Sequence, residues 1–300
     1  MKSAIRNLPS AIPSGYLFVF LAGCLWGSIG LFFRALHDQF GISANAIAYL
    51  RPAAALAVLA PALLILQPRL LKLPRAYWIF FALFGINTAA YNIFYAQSVL
   101  LTGVTTAAIL LYTAPIFVSL IAWRVWREPL DARKIGAIIT AFVGCALVAR
   151  GYDVAALRLN AFGVAVGVGA GLTYALYSVL SKAALKNLSA WTVLTYALFA
   201  GAVYLTPFQN PADFAPLVDQ PAAWLPLLGL TLGPTIGALA LYSAGLRVLP
   251  ASNASIVATV EPVAAGALSF LFLGERLEFL QWIGGALVIG AAIWLSVGKR

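Results

Sequence analysis

The sequence predicts an all-α polytopic membrane protein with ten transmembrane helices, arranged as two inverted five-helix repeats. Three observations lead to this fold class. Of the 300 residues, 63% are hydrophobic and only 9% are charged, whereas a soluble domain is about one quarter charged. The apolar residues fall into runs long enough to cross a hydrocarbon core of about 30 Å. Finally, one stretch of the sequence occurs twice.

The apolar runs define ten candidate membrane helices, which we number as spans 1 to 10. Their approximate limits are 16–36, 44–66, 77–97, 103–123, 134–150, 161–181, 190–208, 223–245, 250–273 and 279–297. Lys2 and Arg6 precede the first run, as basic residues precede the apolar part of a signal peptide. That run continues well past Cys24, however, so we expect an uncleaved first helix.

The doubled stretch lies at residues 95–115 and 242–262, and an offset of 147 places Tyr95 on Tyr242 and Pro115 on Pro262. Offsets of 146 to 148 extend the correspondence to both halves, and the further pairs include Trp26 and Tyr174, Arg34 and Lys182, Thr105 and Ser252, and Glu128 and Glu275. The first repeat is therefore expected at 1–150 (spans 1–5) and the second at 151–300 (spans 6–10). Because five is odd, the second repeat must enter the membrane from the opposite face.

The basic residues are distributed unevenly between the two faces of the predicted bundle. With the N-terminus inside, the inside segments contain Lys2, Arg6, Arg69, Lys72, Arg75, Arg124, Arg127, Arg133, Lys134, Lys182, Lys186, Arg247, Lys299 and Arg300. The outside segments contain only Arg34, Arg150, Arg158 and Arg276. The positive-inside rule predicts that both termini are cytoplasmic. This distribution explains the net charge of +10 without a nucleic-acid partner.

Inverted repeats are typical of secondary transporters, in which two similar halves exchange conformations around a site at the membrane midplane. The alternative is a gene duplication in a membrane scaffold or enzyme that transports nothing. Transport is therefore the function class that the repeat favours.

Specific motifs point to a known family. They are Leu21–Gly27 (LAGCLWG) in span 1, Glu261-Pro262-Val263 and residues 272–277 (FLGERL) in span 9 and after it, and then Gln281 and Gly284-Gly285. The chain resembles the EamA family of the drug/metabolite transporter superfamily over nearly its whole length. The first half departs from the pattern at residues 126–129 (WREP).

The aromatic and Asn-rich third span makes the chain most similar to YddG-type amino acid exporters. This resemblance implies ten helices around a central cavity lined mainly by spans 1, 3, 4, 6, 8 and 9. It also implies export of amino acids across a bacterial inner membrane.

Span 3 carries the polar stripe that we expect to bind the substrate. Asn87, Tyr91 and Tyr95 recur every four residues, and Thr88 and Asn92 lie beside them, so all five share one face of a helix. Amides are costly in hydrocarbon unless they are paired, so this face should line a wet cavity. The alternative is that these groups form hydrogen bonds between helices.

Span 6 presents a second such face with Tyr174, Tyr177 and Ser178. Trp26 in span 1 is the repeat counterpart of Tyr174, so both are expected to face the pseudo-twofold axis and the substrate. The alternative is an interfacial aromatic belt, although Trp26 and Tyr174 fall near the middle of their spans.

Two ionisable side chains fall within spans, Arg51 and Glu261, and each needs a partner, water or protonation there. Glu261 could couple transport to protons or serve a structural role. Arg51 is expected to anchor span 2 to outer headgroups or a loop acid. The small residues at 105–108 and 252–255 are expected to form gates or packing hinges.

The predicted function is a secondary transporter that exports aromatic and other neutral amino acids, or related metabolites, by alternating access. A drug or other small-metabolite exporter is the alternative within transporters. A membrane-embedded lipid-modifying enzyme is the alternative from another class, but no Ser/His/Asp set, metal-ligand cluster or phosphate loop appears in a span. We expect no enzymatic activity, metal or cofactor. The expected partners are a small-molecule substrate and the lipid bilayer.

Overall fold

The computed structural model describes residues 8–155, 157 and 160–297, and all regular secondary structure in them is helical. The α-helices are α1 (Leu8–Gly27), α2 (Ile29–Arg34), α3 (Ala44–Leu66), α4 (Trp78–Leu111), α5 (Ala114–Trp126), α6 (Ala132–Val148), α7 (Ala161–Leu185), α8 (Ala190–Leu205), α9 (Ala215–Asp219), α10 (Trp224–Leu230), α11 (Ala238–Val248), α12 (Ala251–Ala258), α13 (Glu261–Leu273) and α14 (Phe279–Ser296). A π-helical segment, Thr231–Gly237, joins α10 to α11. Five of the basic residues used to predict the topology, Lys2, Arg6, Arg158, Lys299 and Arg300, lie outside the described residues.

Eight helical segments of the described chain are long and apolar enough to cross a membrane. The outside of the bundle is also apolar: the side chains of Leu66 and Phe272, for example, are 76% and 71% exposed. Exposed apolar surface on this scale would be costly in water. The fold is therefore that of a multi-pass membrane protein.

The chain reverses direction inside α4, at Gly103. Its backbone angles, φ 80° and ψ 164°, are not helical, and only glycine adopts them readily. Ser98 and Leu110, on opposite sides of Gly103, both lie against Gly167 of α7, since a Cβ there would be 2.6 Å from Oγ of Ser98 and 2.5 Å from Cδ1 of Leu110. The two parts of α4 therefore run side by side along α7.

Two helix breaks have the same form in the two halves of the chain. The first separates α4, which ends at Leu111, from α5, and the second separates α12, which ends at Ala258, from α13. Both α5 and α13 have proline as their second residue, and both end before a residue in the left-handed region, Arg127 (φ 55°) or Gly274 (φ 67°). The corresponding residues of the two breaks are 147 positions apart, which is the offset of the sequence repeat.

The two ends of the bundle differ in their contacts. At one end, the hydroxyl of Ser43, which precedes α3, donates to the carboxylate of Asp213, and Arg34 pairs with Glu275 at 2.8 Å. We call this the Asp213 end.

At the opposite end, which we call the Glu128 end, the hydroxyl of Ser252 at the start of α12 donates to Glu128 after α5. Thr192 of α8 donates to the carbonyl of Leu70 at 2.8 Å. Both contacts join the two halves of the chain.

Candidate functional site

A cavity of about 1090 Å³ occupies the centre of the bundle. This volume is at the upper end of the range of about 300–1000 Å³ for small-molecule pockets. Its walls include every residue that the sequence predicted for substrate binding, namely Trp26, Asn87, Thr88, Tyr91, Asn92, Tyr95, Tyr174, Tyr177 and Ser178, together with Glu261. The structure thus brings these ten side chains to one surface, and their binding of a substrate remains a prediction.

Tyrosines form one wall of the cavity. The rings of Tyr91 and Tyr95 are stacked, with centroids 6.1 Å apart and planes 14° apart, as their four-residue spacing on α4 favours. Tyr91 also contacts the ring of Tyr174 on α7 at 5.7 Å. The hydroxyl of Tyr174 in turn donates to Oε2 of Glu261 at 3.4 Å. The wall therefore joins both halves of the chain and ends in a carboxylate.

The amides of α4 are partly occupied by the protein itself. Asn87 is buried, and its Nδ2 donates to the carbonyl of Thr173 on α7 at 3.0 Å. Asn92 donates within its own helix, to the carbonyl of Thr88 at 2.8 Å. The Asn87 bond is the interhelical contact that the sequence left open as the alternative to substrate binding, so Asn87 both lines the cavity and joins two helices.

Trp26 and Ser178 both contact Tyr242, a cavity residue that was not predicted from the sequence. The Trp26 and Tyr242 rings lie 5.0 Å apart, and the hydroxyls of Ser178 and Tyr242 are hydrogen-bonded at 2.7 Å. The signal for Tyr242 was present, since it is the repeat counterpart of Tyr95. The Tyr177 ring packs edge-on against Phe84 at 5.1 Å.

The loop acid that was expected to hold Arg51 is not found among its described contacts. Arg51 instead lines the cavity, and its Nε donates to Oγ1 of Thr235 at 3.2 Å. Thr235 belongs to the π-helical segment and donates its own hydroxyl to the carbonyl of Leu230 at 2.8 Å. Arg51 also follows the start of α3 by seven residues, or about 10 Å at 1.5 Å per residue, which places it well below the helix end.

The cavity therefore contains two opposite charges, Arg51 and Glu261. Glu261 begins α13 at the break after α12 and lines the cavity. Among the described residues, no direct ion pair joins these two side chains, although both line the same cavity. A polar molecule between them would meet both charges.

Helix ends are bound together at the Glu128 end. The Glu128 carboxylate accepts the backbone N–H groups of Ala251 at 2.9 Å and Ser252 at 3.2 Å, as well as the Ser252 hydroxyl. These N–H groups begin α12, and first-turn N–H groups have no partner within their own helix. Lys182 of α7 binds the last carbonyls of α11 and donates to Leu249 at 2.6 Å. This end of the bundle is closed.

The cavity reaches the surface towards the Asp213 end. Its walls there include Ser43, Leu100 and Phe208, and the side chains of Leu100 and Phe208 are 74% and 59% exposed. Below the cavity, towards the Glu128 end, only about 10 Å³ of free space remains among residues that include Ser255 and Ala258. Free space in the bundle therefore extends from the cavity towards the Asp213 end and is nearly absent towards the Glu128 end.

More helices line the cavity than the family resemblance implied. Besides the expected spans, α3 contributes Arg51 and Pro52, and α8 contributes Leu198 and Gly201. Within the described part of the chain, no group of three or more His, Cys, Asp or Glu side chains is placed to hold a metal ion.

Comparison with known proteins identifies the family. The model of the EamA-like transporter family matches residues 13–150 and again residues 161–297. A protein of Archaeoglobus fulgidus named as an uncharacterized transporter is 32% identical over 212 residues, which cover 71% of this chain and 73% of that protein. A probable terminal-alkyne amino-acid exporter of Streptantibioticus cattleyicolor is 29% identical over 283 residues, or 92% of each chain.

The chain superposes on the crystal structure of another protein with a TM-score of 0.75 at 19% identity. The superposition covers 94% of this chain and 96% of the other. At that identity the superposition supports the fold alone. The two family matches together cover most of the sequence, and the chain is a member of the EamA-like transporter family.

Proposed function

We propose that the protein is a secondary transporter that exports aromatic and other neutral amino acids, or closely related metabolites, by alternating access. The observation that carries this proposal is the central cavity, which is open at one end only and lined by tyrosines, amides and two opposite charges. The relative named as an amino-acid exporter supports the same substrate class.

The proposed architecture has ten membrane crossings in two inverted repeats, 1–150 and 151–300. The reversal at Gly103 supports two crossings within α4 and α5. The matching breaks of α4–α5 and α12–α13 support the repeat, because unrelated helices would have no reason to break and end at equivalent positions.

The proposed orientation places the Glu128 end in the cytoplasm, as the positive-inside rule requires. The described chain is strongly basic between its helices at that end, at Arg69, Lys72, Arg75, Arg127 and Lys186. The cavity in this structure then faces outward, away from the cytoplasm, and both termini lie in the cytoplasm of a bacterial inner membrane.

Two equivalent sets of residues provide a mechanism for alternating access. Glu128 caps the start of α12 at the closed end. Its counterpart Glu275 lies at the open end, where it pairs instead with Arg34, and both side chains are about half exposed. Arg34 is itself the counterpart of Lys182, which holds the carbonyls of α11 at the closed end.

In the alternate state we expect the two ends to exchange these contacts. Glu275 would cap the backbone N–H groups of Val104 and Thr105, which are the counterparts of Ala251 and Ser252. The Arg34–Glu275 pair would separate, and Glu128 would release α12. The cavity would then close outside and open towards the cytoplasm without a change in its tyrosine wall.

Counterflow in proteoliposomes tests the function. The wild-type protein is loaded with an unlabelled amino acid, and uptake of a panel of labelled aromatic, aliphatic and charged amino acids is measured. We expect exchange of aromatic and aliphatic amino acids. Tyr91→Ala should reduce the apparent affinity for aromatic amino acids by about tenfold, because it removes a ring from the cavity wall.

Tyr152→Ala is the matched control, since Tyr152 lies outside the cavity and donates to Glu278 at 2.6 Å. If the wild type exchanges no amino acid but does move lipophilic drugs, the drug-exporter alternative replaces this proposal. If Tyr91→Ala and Asn87→Ala both exchange amino acids like the wild type, the cavity wall is packing and the site is wrong.

A further inference from the structure

We propose that Arg51 and Glu261 are the two anchors for a zwitterionic α-amino acid, with Arg51 binding the carboxylate and Glu261 binding the ammonium group. This inference rests on the proposed function and names the chemical feature that the site selects. Neither residue was expected to bind substrate from the sequence.

Arg51 has the geometry of a carboxylate receptor. Its Nε is used by Thr235, and its two terminal nitrogens have no hydrogen-bond partner among the described residues. An unpaired guanidinium inside a membrane bundle is costly, and its planar donors fit both oxygens of a carboxylate. The Thr235 bond fixes the plane of the group, because Thr235 is itself held by the carbonyl of Leu230.

Glu261 is suited to the ammonium group for a related reason. The hydroxyl of Tyr174 donates to its Oε2 at 3.4 Å, while Oε1 has no hydrogen-bond partner in the described chain. An ammonium group can donate to Oε1 and also face the aromatic ring of Tyr174 or Tyr91, a favourable arrangement for a cation. The carboxylate is thereby held in the cavity without an ion pair from the protein.

Two opposite charges on the wall of one cavity fit a small zwitterion. Arg51 and Glu261 face the same cavity, but among the described residues they do not form a direct ion pair. An α-amino acid carries both charges on one carbon and would meet both groups, with its side chain against the tyrosine wall. A simple cation satisfies only Glu261, and a simple anion satisfies only Arg51.

Competition in counterflow tests the two anchors separately. Uptake of labelled L-phenylalanine is measured against unlabelled L-phenylalanine, phenylalaninamide, which lacks the carboxylate, and 3-phenylpropionate, which lacks the ammonium group. The wild type should bind both analogues about 10- to 100-fold more weakly than phenylalanine, the usual effect of losing hydrogen bonds to a charged group.

Each variant should lose discrimination against one of the two analogues and keep it against the other. Arg51→Gln should bind phenylalanine and phenylalaninamide equally well while it still rejects 3-phenylpropionate. Glu261→Gln should no longer distinguish phenylalanine from 3-phenylpropionate while it still rejects the amide. Thr235→Val should weaken discrimination against the amide by a smaller factor, because it only positions Arg51.

Arg150→Gln and Glu278→Gln are the matched controls, because these two half-exposed residues pair with each other outside the cavity at 2.7 Å. If the wild type exchanges phenylalanine and both cavity variants discriminate against the two analogues as the wild type does, the two anchors are refuted. The proposed function is then left intact. No exchange of any amino acid by the wild type refutes the proposed function itself.

A role for Glu261 in proton coupling gives a distinct result. Glu261→Gln would then change the dependence of exchange on a pH gradient while selectivity against 3-phenylpropionate stayed as in the wild type, and this outcome also overturns the ammonium anchor. Arg51→Lys keeps the positive charge and should retain part of the discrimination against the amide. If Arg51→Gln does not fold, Arg51→Lys and Thr235→Val still test the carboxylate anchor.

Discussion

Replacing Glu128 by glutamine should weaken the closed end of the bundle. The Glu128 carboxylate accepts two backbone N–H groups and one hydroxyl, all from the first turn of α12. Glutamine offers a single acceptor oxygen, and its amide N–H₂ group would face the N–H donors of the helix. At least one buried N–H group is then left without a partner.

The cost of that unpaired group sets the size of the effect. An unsatisfied buried donor costs about 1–3 kcal/mol, and only the closed state of this end contains the cap. The equilibrium between the two states should therefore shift about 5- to 150-fold towards the state in which the Glu128 end is open. The matched change Glu275→Gln should act in the opposite direction, because Glu275 is expected to cap its helix only in the alternate state.

Cysteine accessibility measures this shift directly. Ser255 borders the small space between the cavity and the Glu128 end and is buried, so Ser255→Cys is a suitable probe after Cys24 and Cys145 have been replaced by serine. A membrane-impermeant maleimide is applied from the Glu128 side in vesicles of known orientation. The labelling rate should rise with Glu128→Gln.

The same rate should fall with Glu275→Gln and stay unchanged with Glu278→Gln, because the Glu278 side chain pairs with Arg150 and Tyr152 and caps the start of α14, away from the cavity. Equal labelling rates in the Glu128 and Glu275 variants would refute the exchange of caps. A rise in both would indicate general loosening of the bundle, which also contradicts the mechanism.

Three further substitutions test the packing that positions the site, with the apparent melting temperature in detergent as the measurement. Gly144→Val should destabilise the contact between α6 and α14 by about 1–3 kcal/mol, because a Cβ there would lie 2.8 Å from the carbonyl oxygen of Gly284. The control is Gly290→Ala, which should have little effect because a Cβ at that position on α14 meets open space. Gly103→Ala should cost about 1–3 kcal/mol and also slow transport, and an unchanged melting temperature would contradict the reversal at φ 80°. Ser43→Ala should cost about 1 kcal/mol, since its hydroxyl accepts the N–H of Ala46 at 3.2 Å, and no loss would mean that this cap is dispensable.

The apolar runs predicted most helices well, because membrane spans are specified by length and hydropathy. The predicted limits of span 2, 44–66, coincide with α3. The break between spans 3 and 4 was predicted at Gly103, where the structure has it, but the end of span 3 was predicted at residue 97, whereas helical structure continues to Gly103. Hydropathy does not change at such a turn, and only the glycine marks it.

The nine residues predicted to bind substrate were chosen from helical spacing and, for Trp26, from the repeat, and all nine lie on the cavity wall. Arg51 was missed because an arginine near the start of a span is typical of an interfacial anchor. Its depth in α3 was a signal against that interpretation. Its partner Thr235 was not predictable, because it lies in a π-helical segment that contains Pro234, and such short segments leave no periodic pattern in a sequence.

The residues at which the two copies of the repeat differ indicate which parts of the molecule have a symmetric role and which do not. Glu261 corresponds to Ala114 and Arg51 has no basic counterpart at the equivalent position in the second half, so the two charges of the cavity break the symmetry of the sequence. The glutamates at the bundle ends, Glu128 and Glu275, preserve it. In the proposed mechanism, residues that act in turn at the two membrane faces are duplicated, whereas residues that would bind one asymmetric molecule occur once. An α-amino acid has a single carboxylate and a single ammonium group, and the single pair of opposite charges on the cavity wall is what its proposed recognition requires.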